Sequence, residues 1–124
     1  MIKALLVFIG GGIGSVLRYL MSGWVYSLLG SNFPYGTLSV NIVGSFVIGF
    51  FLTLAEDKFL VTPDIRVFVA IGIVGGFTTF STFSYETLKL LRSGSFLTGG
   101  LNIVLSITLA LIAVWFGSIM ATLV

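Results

Sequence analysis

Apolar residues run along this chain in four long blocks separated by short polar interruptions. The first block extends from about Ile2 to Leu29 and contains Gly10-Gly11-Gly12, Gly14, Ser15 and Arg18. An uncharged loop, Gly30 to Pro34, separates it from a second block spanning about Tyr35 to Leu54. Glu56-Asp57-Lys58 and Thr62-Pro63-Asp64 bracket the next connection, where Pro and Asp suit a helix start. The third block runs from about Ile65 to Leu91, Arg92-Ser93-Gly94-Ser95 reads as a turn, and the fourth continues from about Phe96 to the C-terminus. No block alternates with period two, and each is long enough for the roughly 20 helical residues that cross a bilayer. The pattern predicts an all-α membrane protein with four transmembrane helices in a single domain, residues 1–124, with no linker and no second domain.

Composition agrees. The chain is 57% hydrophobic and 8% charged, whereas a soluble domain is about a quarter charged. It has no cysteine and no histidine, which excludes disulfides, Cys/His metal sites, thiol nucleophiles and imidazole acid–base chemistry. Glu86 is a lone carboxylate in apolar sequence and completes no catalytic constellation, so the chain is not expected to be an enzyme. A formal charge of +2 without a basic cluster carries no nucleic-acid signal. Lys3 followed by apolar residues faintly resembles a signal peptide, but the run is too long and no small-residue cleavage site follows, so it reads as a retained first span.

Charge along the chain has almost no sidedness. With four spans, the N-terminus, the second loop and the C-terminus share one side, which carries Lys3, Lys58 and Arg66. The other side carries Lys89 and Arg92, with Arg18 buried above it. A chain without a positive-inside bias can insert both ways, and the natural assembly then pairs one copy up with one down.

The stretch from Gly75 to Glu86 breaks two local rules at once. It carries two adjacent glycines, five Ser/Thr hydroxyls and a carboxylate within an apolar segment. Glycine weakens a helix, and polar groups at bilayer depth usually face a bundle interior or a water path. Gly75-Gly76 followed by Thr78-Thr79 predicts a helix break. Its freed carbonyls can bind a small hard cation such as Na⁺, or the Thr hydroxyls can re-satisfy the backbone at a simple kink. Phe77, Phe80 and Phe83 are three apart with hydroxyls, Ser81 and Thr82 among them, in between. Their rings can be core or lipid-facing, or can offer positive edges to a small anion.

Two further stripes stand out. Thr37, Asn41 and Ser45 in the second block, and Thr98, Asn102 and Ser106 in the fourth, are each four residues apart and share a helical face. They can hydrogen-bond helices together or line one path. Small residues at packing distance, Gly10 and Gly14, Ser45 and Gly49, Gly72 and Gly76, suit close helix contacts. Arg18 and Glu86 can pair, or Arg18 can draw anions into a vestibule.

These residues resemble the Fluc (CrcB) fluoride ion channels of microorganisms. The likeness rests on Gly14-Ser15-Val16-Leu17-Arg18-Tyr19, on Gly36-Thr37-Leu38 with Asn41 and Gly44-Ser45-Phe46, and on Gly75 through Ser84 with Glu86. It implies a dual-topology antiparallel homodimer of four-helix subunits with a broken third helix and two pores. It further implies a fluoride-selective passive channel in the bacterial inner membrane, exporting cytoplasmic fluoride. The pore phenylalanines then correspond to Phe80 and Phe83 and the pore asparagine to Asn41. A polar track would take in Thr37, Ser106, Ser81, Thr82 and Asn102, with Arg18 at a vestibule. A structural Na⁺ at the dimer interface would be held by the backbone carbonyls of Gly75 and Thr78. The family can carry Tyr and Ser on the fourth helix where this chain has Asn102 and Ala110.

Two other classes compete. A proton-coupled exporter of the small multidrug resistance type is also a four-span dual-topology dimer, but it needs a membrane-embedded carboxylate in the first helix, where this chain has Arg18. A non-transporting, holin-like protein would need neither matched polar stripes nor a broken helix.

Overall fold

The computed structural model of the protein describes residues 1–58 and 61–124, and every regular element among them is helical. The first two spans are α1 (Ile2–Leu29) and α2 (Tyr35–Lys58). A composite third span, Pro63–Arg92, is built from α3 (Pro63–Arg66), a π-helical stretch (Val67–Val74), α4 (Gly75–Phe77) and α5 (Phe80–Arg92). The fourth span is α6 (Phe96–Thr122). All four spans are long and apolar enough to cross a membrane. At about 1.5 Å per residue each covers the hydrocarbon core with room to tilt.

The ends follow local chemistry. Gly30 closes α1 and Gly94 forms the turn before α6, both with φ 83°, a conformation that costs glycine little. The third span starts on Pro63, with the Thr62 hydroxyl accepting the Ile65 amide at 3.2 Å. This is the capped, proline-led start that the sequence indicates. Helix α2 continues past Leu54 through Glu56-Asp57-Lys58, and residues 59 and 60 of the following connection lie outside the described residues. The exposed Arg66 guanidinium reaches Glu56 at 3.3 Å and ties the two ends loosely.

The spans pack through backbone rather than large side chains. A methyl group added at Gly10 would lie 2.6 Å from the Phe68 carbonyl oxygen, and one at Gly76 would lie 2.6 Å from that of Gly11. At Gly14 it would run into the Ile73 carbonyl. So α1 lies directly against the third span, as the Gly10/Gly14 and Gly72/Gly76 spacing predicts. On the other side α2 meets α6 through Gly49 against Val114 and Gly117 against Phe46. Where lipid replaces water, such close approach supplies the packing energy. The large apolar side chains, Phe8, Trp24, Leu97 and Trp115 among them, point outward.

The third span is interrupted two residues beyond the glycines. Gly75 is helical (φ −60°, ψ −37°), while Thr78 (φ −86°, ψ 158°) and Thr79 (φ −150°, ψ 119°) are extended. Gly76 therefore serves close packing against Gly11, Gly75 simply continues the helix, and the two threonines carry the chain out of one helix and into the next. Nothing in the apolar sequence of Val67–Val74 signals the wider π-helical turns.

Candidate functional site

The site grows from the orphaned backbone groups at Thr78 and Thr79. Thr78 sends both its amide (3.0 Å) and its hydroxyl (3.1 Å) to the Val74 carbonyl, so it stays bonded to the helix it leaves. The Thr79 hydroxyl accepts the Thr82 amide at 3.2 Å and caps α5. The main chain of Thr79 is held from α2. Asn41 donates from Nδ2 to the Thr79 carbonyl at 3.0 Å and accepts the Thr79 amide on Oδ1 at 2.8 Å. One primary amide thus replaces the two helical partners that Thr79 has lost.

That capture leaves a consequence upstream. In a continuous helix the Thr79 amide would bond the Gly75 carbonyl and the Thr82 amide would bond the Thr78 carbonyl. Both amides are taken by side-chain oxygens instead. The carbonyls of Gly75 and Thr78, the cation ligands that the resemblance implies, thereby lose these helical partners, as those of Gly76 and Phe77 do at the same interruption, and Gly75 and Thr78 line an open cavity.

This first cavity holds about 420 Å³ and lies among α2, the interrupted span and α6. Asn41, Ser45, Phe80, Phe83 and Ser106 line it with the two carbonyl residues. The Phe80 and Phe83 rings are tilted with centroids 5.4 Å apart. Phe83 is buried, whereas Phe80 is 77% exposed on the cavity side of a single chain. Phe77 lies before the interruption, close to Gly44, and does not stack with them.

A second cavity of about 380 Å³ lies on the other side of Thr79, which lines both. Its walls include Arg18, Thr37 and Thr82, with Ser22 and Tyr26 of α1. Ser81 is exposed on α5, its hydroxyl 3.4 Å from that of Thr79.

Asn102 has a different place. It is 2% exposed, donates to the Thr87 hydroxyl at 2.8 Å and accepts from Ser106 at 3.3 Å. Thr87 in turn donates to the Phe83 carbonyl at 2.8 Å. Asn102 therefore braces the helix that carries Phe83 and lines neither cavity; of the α6 stripe, Ser106 reaches the first one. Glu86 does not pair with Arg18. Its Oε2 accepts the Tyr26 hydroxyl at 2.8 Å, and Tyr26 also lies 3.4 Å from the Thr37 hydroxyl.

Three residues escaped the sequence reading: Tyr26, Thr79 as the shared wall, and Thr87. Tyr26 was within reach of the test that found the other stripes, since Arg18, Ser22 and Tyr26 recur every fourth residue. Thr79 and Thr87 sit among so many hydroxyls that spacing alone does not single them out.

Fold and site together define a multi-pass helical membrane protein whose polar groups gather around an interruption in one span. Residues 5–118 match the family described as CrcB-like protein, Camphor Resistance (CrcB), and the chain belongs to that family. Relatives share its length as well as its sequence. It is 48% identical over 125 residues, all of both chains, to a protein of Rhizobium etli. It is 52% identical over 119 residues to one of Opitutus terrae, covering 94% of this chain and 90% of that protein. It is 47% identical over 113 residues to one of Geotalea daltonii, covering 90% and 91%. Each relative bears the name fluoride-specific ion channel FluC.

Proposed function

We propose that this protein is a fluoride-selective passive ion channel that exports fluoride from the bacterial cytoplasm across the inner membrane. The observation that carries it is the near-full-length similarity to proteins named as fluoride-specific channels. The site is consistent in its chemistry. Fluoride is small and holds its water tightly, so a path must replace that shell with dense donors yet bind weakly enough to release the ion. Amide and hydroxyl groups and phenyl edges meet both demands without a fixed positive charge along the way. Thr82 and the second amide proton of Asn41 are the free donors to test; Ser106 and Thr37 also line the cavities and can donate to an ion by leaving Asn102 and Tyr26, and Arg18 stands in the wall of the second cavity. Fluoride enters acidified cells as the neutral acid and ionises inside, so the membrane potential alone can drive export. No covalent step is catalysed. A proton-coupled exporter has little support, because α1 carries no carboxylate.

The assembly proposed is an antiparallel homodimer. Phe80 and the first cavity are open on a single chain, and a second copy would complete their walls. The released carbonyls of Gly75 and Thr78 suit a hard monovalent cation, but two oxygens are fewer than such an ion takes. A copy related by a two-fold axis would double them, and Na⁺ there would act as a structural staple.

Purified protein in liposomes tests the channel: fluoride efflux should be fast and chloride efflux should not exceed that of protein-free vesicles. Comparable chloride flux, or no flux of either ion, would sink the reading. Cysteine crosslinking should join copies of opposite orientation, and the dimer should dissociate more readily when sodium is replaced by a bulky organic cation. Termini all on one membrane face would refute the antiparallel arrangement.

A further inference from the structure

Tyr26 is the wall between the second cavity and a third. The third, about 350 Å³, opens beside the α1–α2 loop and is lined by Tyr26, Asn32, Glu86 and Lys89. A cationic residue thus stands on either side of Tyr26: Arg18 in the second cavity and Lys89 in the third. Lys89 turns toward Tyr85, its Nζ 5.8 Å from that ring centroid, and forms no ion pair with Glu86. Among the described residues the carboxylate at this wall is held by Tyr26 alone, and its other oxygen, Oε1, is buried without a partner.

The hydrogen-bond direction is determined by valence. Tyr26 has one hydroxyl proton, and Glu86 Oε2 receives it at 2.8 Å. The longer 3.4 Å contact must then run from Thr37 to Tyr26. The ring packs against Gly36 of α2, where an added methyl would strike it. Ring position and hydroxyl direction are thus both built in.

We propose that Tyr26 is a positioning residue for conduction: its hydroxyl tethers Glu86 at the partition between the two cavities and keeps the carboxylate's charge from obstructing anion passage. The proposal rests on the channel reading above. An untethered carboxylate beside an anion path raises the barrier to the ion. The tether holds it to one side and draws charge onto a donated proton.

Tyr26→Phe keeps the ring over Gly36 and removes only the hydroxyl. Fluoride efflux from liposomes should fall on the order of tenfold, the size of effect a unit charge has in partly shielded surroundings. Adding Glu86→Gln to that variant should restore most of the loss, because it removes the charge that the tether controls. Unchanged efflux in Tyr26→Phe, or a double variant as slow as the single one, would overturn the proposal, since a merely structural defect would not be relieved by neutralising Glu86. A second readout needs no transport. The chain has two glutamates, Glu56 and Glu86, so ¹³Cδ-glutamate labelling gives two carboxyl signals, of which Glu86→Gln removes one. Tyr26→Phe should shift that signal and leave the other; a stationary signal overturns the tether whatever the flux. If the unaltered protein passes no fluoride, the channel reading fails and Tyr26's role in conduction fails with it, while the carboxyl signal still decides whether the tether exists.

Discussion

Phe83→Ile is expected to reduce fluoride efflux by about twofold to tenfold, because an aromatic contact contributes roughly 0.5–1.5 kcal/mol beyond its apolar area and an alkyl group has no positive edge to offer an anion. The position makes the substitution informative. Phe83 is buried against the cavity wall with its ring centroid 5.4 Å from that of Phe80, so it is held in place from two directions. Its backbone carbonyl keeps the Thr87 bond whatever the side chain is, so α5 should retain its brace to α6. Isoleucine keeps much of the apolar bulk, which limits the packing cost to about 1–2 kcal/mol. Efflux measured on variant protein that still elutes as the assembled species separates conduction from folding. Normal flux in that species would remove the phenyl edge from the mechanism.

Asn41→Asp is expected to have an effect at least as large, by two routes. The amide makes two bonds to Thr79, one donated and one accepted. A carboxylate can still accept the Thr79 amide, but it cannot donate to the Thr79 carbonyl. The stranded carbonyl costs about 1–3 kcal/mol, and the thermal midpoint should fall accordingly. The added negative charge also stands in the wall of the first cavity, where it repels an anion. Fluoride efflux should therefore drop by more than about tenfold even in protein that remains assembled. Full conduction with an unchanged midpoint would show that Asn41 neither holds the interruption nor borders the path.

Much of this molecule is legible in its pattern. Four apolar blocks, Thr62-Pro63 at a helix start, and Gly30 and Gly94 at turns all report local backbone preference, which depends on neighbours in sequence. Phe80, Phe83, Asn41 and Ser106 could be nominated for the same reason: a polar or aromatic side chain at regular spacing in apolar sequence stands out against its surroundings. The pairings were not legible. The glycines of Gly75-Gly76 look like a break but are helical, and the facing backbone of α1 at Gly11 needs Gly76 to lack a side chain. Within that stretch the interruption falls on Thr78 and Thr79, where Asn41 reaches across from another helix to satisfy what a helix would have satisfied.

Asn102 shows the same division. Its stripe on α6 is visible in the sequence, but only the angle between α5 and α6 decides that it turns toward Thr87 and braces Phe83 from behind. Likewise Glu86 has Arg18 as its obvious opposite charge along the chain, yet Tyr26 is the group that reaches it. Helix number, length and membrane residence follow from the order of residues, because burial in lipid and backbone propensity act locally and add along the chain. Which donor meets which acceptor depends on how spans lean and rotate against one another. That is decided by glycine seams between helices remote in sequence, and so it became visible only once the chain was folded.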